Sequence, residues 1–241
     1  MEIKSREMEY VSNGDVTTAL VPYQDVSVYK SKVKIKFEKI LKRSVDIFGG
    51  IFGTIALIPL TVIIWVANLV SGDRGPVFYS EEKRIGKNGK TFKMYKYRSM
   101  VVGADEKLEK YLEENEEARK EYKKYKKLKN DPRITKVGNF LRKTSLDEFP
   151  QFINVIKGDM SLVGPRPYLE REKEDMIYYY KYITACKPGV TGLWQVSGRS
   201  GVTFNERMNM DMVYVRNQSI KMDVKIVFKT IEKIVKREGA I

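Results

Sequence analysis

With 241 residues, the chain is long enough for one sizeable core with appendages. Lysine and arginine number 45 against 31 acidic residues, and the formal charge of +14 calls for an anionic partner such as nucleic acid, phospholipid headgroups or phosphorylated substrates. A single cysteine excludes an intramolecular disulfide, and the absence of histidine excludes the usual general base and zinc ligand. Catalysis would therefore depend on carboxylates, lysines, hydroxyls or a hard metal ion bound by oxygen atoms.

Three regions follow along the chain. Residues 1–29 are mixed in character and lack sustained apolar periodicity, so we expect a poorly ordered tail; no apolar stretch follows its charges, which excludes a secretory signal peptide. Residues 30–73 combine a basic juxtamembrane helix with an uncharged apolar segment. Residues 74–241 carry the motifs described below and predict a catalytic domain.

The uncharged segment, residues 47–72, is the strongest single feature. As a helix it would extend about 39 Å, against a hydrocarbon core of about 30 Å, so its length permits a full span. Both flanks are basic, however, and basic flanks tend to stay on the cytoplasmic side. Pro59 stands near the middle, where it removes a helix hydrogen bond. These features favour a re-entrant helix–break–helix, and a kinked transmembrane helix remains the alternative.

Two further stretches, residues 101–130 and the C-terminus, are predicted to be charged helices. Residues 101–130 carry opposite charges at helical spacing and predict an exposed helical excursion without chemistry of its own. The C-terminal stretch has an apolar stripe among lysines, which suits either the headgroup plane of a membrane or the cover of a protein core. The predicted fold is therefore α+β and mainly helical, monotopic in the membrane, with a small strand element and interfacial amphipathic helices.

The densest group of candidate site residues is an adjacent acid pair, Asp147 and Glu148, preceded by Arg142. Ser145 and Glu148 fit a capping box, which predicts that both acids lie in the first turn of a helix, whereas Pro150 offers a later helix start. One acid could act in covalent chemistry while the other holds a metal ion or moves protons. The alternative is a capped surface helix with solvated acids.

Three further stretches carry basic or aromatic side chains. Prolines on both sides of Arg166 orient its guanidinium for bidentate phosphate recognition. A glycine-rich stretch, residues 187–199, includes Trp194 and Gln195. An alternating strand places Lys96 and Arg98 on one face. No Walker A loop, dinucleotide motif, CxxC or GxSxG occurs, which disfavours a P-loop kinase, a dehydrogenase, a zinc protein and a serine hydrolase.

Taken in order, these stretches resemble the bacterial sugar transferases, the monotopic phosphoglycosyl transferases. The matching pieces are KRSVDI…IPL, FKMYKYRSM, DPRITKVGNFLRKTSLDEFPQFINVIKGDMSLVGPRP, KPGVTGLWQVSGRS and MDMVYVRNQSIKMDVKIVFKT. These stretches are most similar to those of undecaprenyl-phosphate galactose or glucose phosphotransferases. Such relatives usually carry transmembrane helices upstream, so we expect either a short natural form or the catalytic part of a longer protein.

The resemblance implies a reaction in two displacements. Asp147 would attack the sugar-bearing phosphorus of a UDP-sugar and release UMP, and undecaprenyl phosphate would then take the sugar phosphate from the covalent aspartyl intermediate. Mg²⁺ would be held by Asp147 and Glu148. The same resemblance implies that substrate and its phosphates are bound by the following residues: Lys96, Arg98, Arg142, Arg166, Gln195, Arg199 and Asp211.

The resemblance also implies a place for the protein. We expect a monotopic protein of the bacterial cytoplasmic membrane, with its active site on the cytoplasmic face, anionic membrane lipid as a partner and no role for nucleic acid. Pro59 matches the membrane break of the family, although its usual serine is replaced by Ile58. The sugar, the final glycan and a homodimer remain open. The rivals are a non-enzymatic basic membrane-surface adaptor and a polyprenyl diphosphate hydrolase.

Overall fold

The computed structural model describes residues 7–12, 15–20, 32–80, 83–125, 128–197 and 202–236. By its internal contacts the chain divides into two units, Met1–Lys39 and Ile40–Ile241. In the first unit, β1 (Glu7–Ser12) pairs antiparallel with β2 (Asp15–Leu20). This hairpin lies in the stretch 1–29, for which we expect a poorly ordered tail, and the other residues of that stretch lie outside the described part.

The second unit is mainly helical, with short strands between the helices. The elements that follow the hairpin are α1 (Lys32–Val70), β3 (Phe78–Tyr79), β4 (Lys83–Ile85), β5 (Thr91–Lys93), β6 (Lys96–Tyr97), α2 (Ala104–Glu114), α3 (Glu116–Tyr125), α4 (Lys136–Thr144), α5 (Gln151–Lys157), β7 (Ser161–Val163), α6 (Lys173–Met176), α7 (Tyr180–Ile183), β8 (Gly189–Thr191), α8 (Leu193–Ser197), α9 (Phe204–Asn217) and α10 (Ile220–Lys236). Short 3₁₀ turns link several of them. This confirms the predicted α+β, mainly helical class.

The strands form small pairs. β3 pairs with β6 and β4 with β5, both antiparallel, while β7 and β8 run parallel. Next to the parallel pair, the backbones at Gly164 and Gly189 come very close. A Cβ atom at Gly189 would overlap the backbone nitrogen of Gly164. A larger residue than glycine would therefore push apart the two segments that lead to the Pro-Arg-Pro stretch and to Trp194.

The apolar segment lies within α1, which continues through Pro59 without interruption. The predicted helix–break–helix is thus corrected to one continuous helix. Pro59 lacks an N–H group, so its bond to the carbonyl of Ile55 is missing. Nearby hydroxyls support the helix there: Thr61 Oγ1 donates to the carbonyl of Leu57 at 2.7 Å, and it lies 2.6 Å from Tyr97 Oη. These hydroxyls connect the turn around Pro59 to β6, although they bond at Leu57 and not at the carbonyl of Ile55 that the proline frees.

One face of α1 is buried against the rest of the second unit. The buried positions recur at intervals of three, four or seven residues, as one face of a helix requires: Asp46, Gly50, Gly53, Leu57, Ile64 and Asn68. The opposite face exposes large apolar side chains, among them Phe48, Phe52, Ile55, Ile58, Val62, Ile63, Trp65 and Val70. This helix therefore presents one face to protein and another to an apolar environment.

Polar contacts attach the first half of α1 to the rest of the unit. Lys42 Nζ lies 2.7 Å from Asp223 Oδ2 in α10, and Arg43 donates to the carbonyls of Val155 and Ile156. Asp46 accepts hydrogen bonds from Ser161 Oγ and the backbone N–H of Leu162, each at 2.9 Å. The buried face of α1 extends from Asp46 to Asn68, so a span of the bilayer would draw the protein packed against it, with its polar groups, into hydrocarbon, which is costly. One long apolar helix packed in this way fits a monotopic, membrane-associated arrangement.

The predicted helical excursion forms two helices, α2 and α3, around a small core of Leu108, Ala118 and Leu128. Lys120 pairs with Glu116 at 2.9 Å, as its spacing predicts. Lys110, in contrast, lies 4.0 Å from Glu114 rather than pairing with Glu106.

The C-terminal helix α10 meets protein on one face and is exposed on the other. Asp223 and Ile226 are buried, whereas Val224, Phe228 and Val235 are exposed. The predicted apolar stripe therefore lies mostly outside the core, and a different face of the helix covers the core. This combination is typical of an amphipathic helix at a membrane interface.

Candidate active site

Asp147 and Glu148 lie in a connection between helices rather than in a helical first turn. Helix α4 ends at Thr144, and Ser145 adopts the left-handed conformation with φ 58°, its N–H bonding back to the carbonyls of Leu141 and Arg142. Its side chain caps nothing, so the predicted capping box is wrong. The acids occupy the 3₁₀ turn Leu146–Glu148, and α5 begins after Pro150, as the alternative reading of that proline anticipated.

Asp147 is almost completely buried, with 8% of its surface exposed. Burial raises the pKa of its carboxyl to about 6; Lys96 opposes this rise, the charge of Glu148 adds to it, and Arg142 opposes it again. Above that pH the carboxylate is charged yet poorly solvated. A desolvated carboxylate held among cations is suited to nucleophilic attack on an electrophilic phosphorus.

Lys96 and Glu148 face each other beside Asp147. Lys96 is the first residue of β6, and its Nζ lies 3.4 Å from Glu148 Oε1. Both side chains are partly exposed, so the pair can open to a ligand at modest cost. The cation and the carboxylate are therefore available to a phosphate and to a cation bound with it.

Arg142 projects from the last turn of α4 toward the acid pair. Its Nε donates to Ser99 Oγ at 2.9 Å, which fixes the direction of the guanidinium. Burial lowers its pKa, and the charge of Asp147 partly restores it. Behind it, Arg133 is held by two hydrogen bonds to the carboxylate of Asp131.

Arg98 is a structural residue in this fold and not part of the candidate site. Its guanidinium donates to the carbonyls of Pro76 and Met100 at 2.6 and 2.8 Å and to Asp73 Oδ1 at 2.7 Å. The backbone pairing of β6 continues at Arg98, whose N–H donates to the carbonyl of Val77 at 2.8 Å, but the guanidinium is used by protein groups and not by the cleft. All three nitrogens of Arg98 are occupied by protein.

Asp211 supports the Pro-Arg-Pro stretch from behind. Its Oδ2 accepts hydrogen bonds from the backbone N–H of Arg166 at 3.1 Å and from Tyr168 Oη at 2.8 Å. Burial raises the pKa of Asp211 to about 7, against the opposing effect of both hydrogen bonds. The carboxyl therefore positions the backbone of Arg166 and does not itself face the cleft.

A cleft brings the predicted residues together. Lys96, Glu148, Arg166 and Gln195 line it, and Arg199 lies outside the described residues. Sequence reasoning did not single out the further lining residues Arg84 and Gln151. No local pattern marks these two, because a β-strand and a helix distant in sequence deliver them to the same place.

Comparison with known proteins shows the family of the chain. The family described as bacterial sugar transferase matches residues 37–237. A UDP-galactose-lipid carrier transferase from Erwinia amylovora is 48% identical over 202 residues, covering 84% of this chain and 42% of the relative. An undecaprenyl-phosphate galactose phosphotransferase from Salmonella typhimurium is also 48% identical, with the same coverage.

A shorter relative covers the chain more evenly. The exopolysaccharide production protein ExoY from Sinorhizobium fredii is 44% identical over 202 residues, covering 83% of this chain and 88% of the relative. The chain thus spans less than half the length of the first two relatives and most of the third. The family match extends over most of the second unit and includes every described residue of the cleft. The chain belongs to the bacterial sugar transferase family.

Proposed function

We propose that the protein transfers a sugar 1-phosphate from a UDP-sugar to undecaprenyl phosphate and releases UMP, as the first step of a bacterial surface glycan. The observation that carries this proposal is the buried carboxylate of Asp147 beside a cleft lined by Lys96, Glu148 and Arg166. The names of these relatives support the lipid acceptor and favour galactose as the sugar, with glucose, which the sequence resemblance also implies, as the alternative.

The reaction proceeds in two displacements at one phosphorus atom. A carboxylate oxygen of Asp147 forms a bond to the phosphorus that carries the sugar, and the bond from that phosphorus to the oxygen of UMP breaks. A phosphate oxygen of undecaprenyl phosphate then attacks the same phosphorus and frees the carboxylate. The covalent intermediate divides transfer between a soluble donor and a lipid acceptor into two steps.

The surrounding cations stabilise charge during both steps. Lys96 can leave Glu148 for an oxygen of the transferred phosphoryl group, and Arg142 stays beside Asp147 because Ser99 holds it. Arg166 enters the cleft from its fixed backbone and is suited to a phosphate of the donor. Preorganised charges of this kind lower the barrier most when they face the charge that develops in the transition state.

Mg²⁺ is the expected cofactor, and the acid pair fits it. Among the described residues there is no group of three or more acidic or cysteine side chains that could hold a metal ion without a substrate. Mg²⁺ is usually bound through one or two carboxylates together with substrate phosphates, so Glu148 and Asp147 suffice. When bound, Mg²⁺ would neutralise the negative charge of the diphosphate.

The exposed apolar faces of two helices suggest how the protein lies at the membrane. We propose that the exposed apolar faces of α1 and α10 lie in the cytoplasmic leaflet of the bacterial inner membrane, with the cleft on the cytoplasmic side. Exposed lysines on α10, including Lys221, Lys225 and Lys229, suit anionic lipid headgroups. This position would bring the lipid phosphate to Asp147 without removing it from the membrane.

The test is release of UMP from a panel of UDP-sugars, with Mg²⁺ and undecaprenyl phosphate present. We expect Asp147→Asn to abolish release and to prevent a protein adduct of one hexose phosphate in the mass spectrum of the intact chain. Asp105→Asn, an exposed acid of α2, is the matched control and should behave as the parent. Full activity of Asp147→Asn contradicts the covalent role. Absence of UMP release from every donor, with binding of anionic vesicles retained, would favour the adaptor.

A further inference from the structure

Arg207 is a buried cation without an acidic hydrogen-bonding partner. It lies on α9, one turn before Asp211, and only 3% of its surface is exposed. Its Nε is buried and has no partner, and no hydrogen bond from its guanidinium occurs within the described residues. An unpaired buried charge is costly, so a protein that keeps one has a use for it.

The indole of Trp194 brings this cation next to a second one. The guanidinium carbon of Arg207 lies 4.8 Å from the centre of the Trp194 ring, and that of Arg166 lies 5.4 Å from it. Arg166 Nε and Trp194 Nε1 are also buried without partners. Three N–H donors, one on the indole and one on each of the two arginines beside it, thus lack acceptors within the described part of the chain.

The nearby acid does not balance this group. Asp211 uses Oδ2 for the N–H of Arg166 and for Tyr168, and it makes no ion pair with either guanidinium; its Oδ1 is buried without a partner among the described residues. Burial and then the charge of Arg166 lower the pKa of Arg207 to about 10, against the opposing charges of Tyr168, Glu172 and Asp211. A donor-rich group with excess positive charge calls for an anion.

We propose that Arg207, Trp194 and Arg166 form a subsite for the phosphate of a phosphate monoester. Arg166 and Trp194 line the cleft that also contains Glu148, so the subsite is continuous with the candidate active site. This inference rests on the proposed function. Both the departing UMP and the arriving undecaprenyl phosphate are phosphate monoesters, whereas the corresponding phosphate of the donor is still joined to the second phosphate through an anhydride bond.

This difference gives the subsite a mechanistic role. As the bond to UMP breaks, a further negative charge develops on the leaving phosphate. Donors that wait for that charge bind the product-like state more strongly than the donor substrate, which accelerates the step. Arg207 then acts on the leaving group or the acceptor, at a different atom from Lys96 and Arg142.

The test is direct binding, observed through Trp194. The sequence contains two tryptophans, and Trp65→Phe leaves Trp194 as the only one. We would titrate this variant of the whole 241-residue chain in nanodiscs with UMP, with uridine and, in a separate preparation, with undecaprenyl phosphate in the lipid. A saturable change in Trp194 emission with UMP or undecaprenyl phosphate supports the subsite and tells which of the two binds. Uridine should bind at least tenfold more weakly than UMP.

Variants of α9 give the comparison. We expect Arg207→Gln to weaken binding of the responding phosphate about ten- to hundredfold, because charge-assisted hydrogen bonds are lost. Arg216→Gln, on the exposed side of the same helix, is the matched control and should bind within about twofold of the parent. The ligand-free melting temperature of Arg207→Gln should equal or exceed that of the parent, since a buried unpaired charge is removed. If the Arg207→Gln variant fails to fold, Arg207→Lys is used instead, and it should bind the responding phosphate with intermediate affinity.

Failure of the subsite and failure of the proposed function are distinguishable. Parental phosphate affinity in the Arg207 variant, or uridine bound as tightly as UMP, overturns the subsite even if UDP-sugar is turned over normally. Tight UMP binding that depends on Arg207, without UMP release from any UDP-sugar, supports the subsite and refutes the proposed reaction.

Discussion

Four of the charged residues predicted for the site differ in how the protein holds them, and this decides what each can do. Asp147 is buried and made more basic, Lys96 is partly exposed and paired, and Arg142 is held by Ser99. Arg98, only two residues after Lys96, is fully bound by protein. Residue type and spacing alone cannot separate Lys96 from Arg98, because the difference depends on which carbonyl and carboxylate groups surround each side chain.

Arg142 should matter for rate more than for folding. We expect Arg142→Gln to slow UMP release about 100- to 1000-fold, because it removes one preorganised charge beside the nucleophile. Initial rates at saturating UDP-sugar measure the effect. Lys143→Gln changes the neighbouring, exposed cation and should retain the parental rate. Equal losses in the two variants would mean that general positive charge, and not the position of Arg142, is what counts.

Asp211 should make stability depend on pH. Its pKa is about 7 in the folded protein, against about 3.9 in an unfolded chain. Between these values the folded state holds a proton that the unfolded state has released, so this group stabilises the fold at low pH and that contribution is lost as the pH rises through about 7.

Asp211→Asn isolates that contribution, since an amide oxygen can still accept from Tyr168 and from the N–H of Arg166. We expect the stability of the variant relative to the parent to improve between about pH 5 and pH 8. Thermal unfolding of the ligand-free protein at several pH values measures this. Asp105→Asn should run parallel to the parent, and a parallel profile for Asp211→Asn would show that the carboxyl stays ionised in the fold.

At the scale of elements, α1 is continuous through Pro59, and β6 contacts it on the same turn. Thr61 and Tyr97 place hydroxyls at the carbonyl of Leu57, two residues before Pro59. Tyr97 belongs to β6, so the same two-residue strand contacts α1 through Tyr97 and carries Lys96 of the candidate site. The predicted break was therefore a reasonable inference from Pro59 alone and wrong once β6 is packed against it.

Two threonines on this helix provide a matched pair. Thr61 Oγ1 is bonded, whereas Thr54 Oγ1 is buried without a partner among the described residues. We expect Thr61→Val to lower the free energy of unfolding by about 1–3 kcal/mol, since it leaves polar partners unsatisfied. Thr54→Val should be neutral or stabilising, because it removes a hydroxyl that has no such bond. Chemical or thermal unfolding in one detergent compares them, and similar costs for both would argue that the hydrogen bonds of Thr61 do not stabilise the contact between α1 and β6.

For the whole molecule, the two ends of α1 should lie on the same side of the membrane. Cys186 provides a quiet background, because burial raises the pKa of its thiol to about 12 and leaves little thiolate. Single cysteines placed by Leu41→Cys and Ser71→Cys should both react with an impermeant maleimide from the cytoplasmic side only. The parent should stay unlabelled. Labelling of either position from the periplasmic side would establish a transmembrane helix and refute the monotopic arrangement.

The sequence alone was sufficient for what local patterns encode. The uncharged segment, the acid pair, the Pro-Arg-Pro stretch and the family resemblance are all contiguous runs, so the α+β class, the family and Lys96, Glu148, Arg166 and Gln195 as cleft residues could be predicted. The period of α9 also held one unused signal, because Arg207 lies four residues before Asp211 and therefore on the same helical face.

Tertiary structure decided the properties that depend on distant neighbours. It buried Asp147, paired Arg98 with Asp73, ended α4 at Thr144 and carried α1 through Pro59. It also placed Arg207 and Arg166 around one indole, although the three residues come from separate parts of the chain. Solvation, charge pairing and hydrogen-bond satisfaction are set by whatever surrounds a side chain in space, and a linear sequence does not state which residues those are.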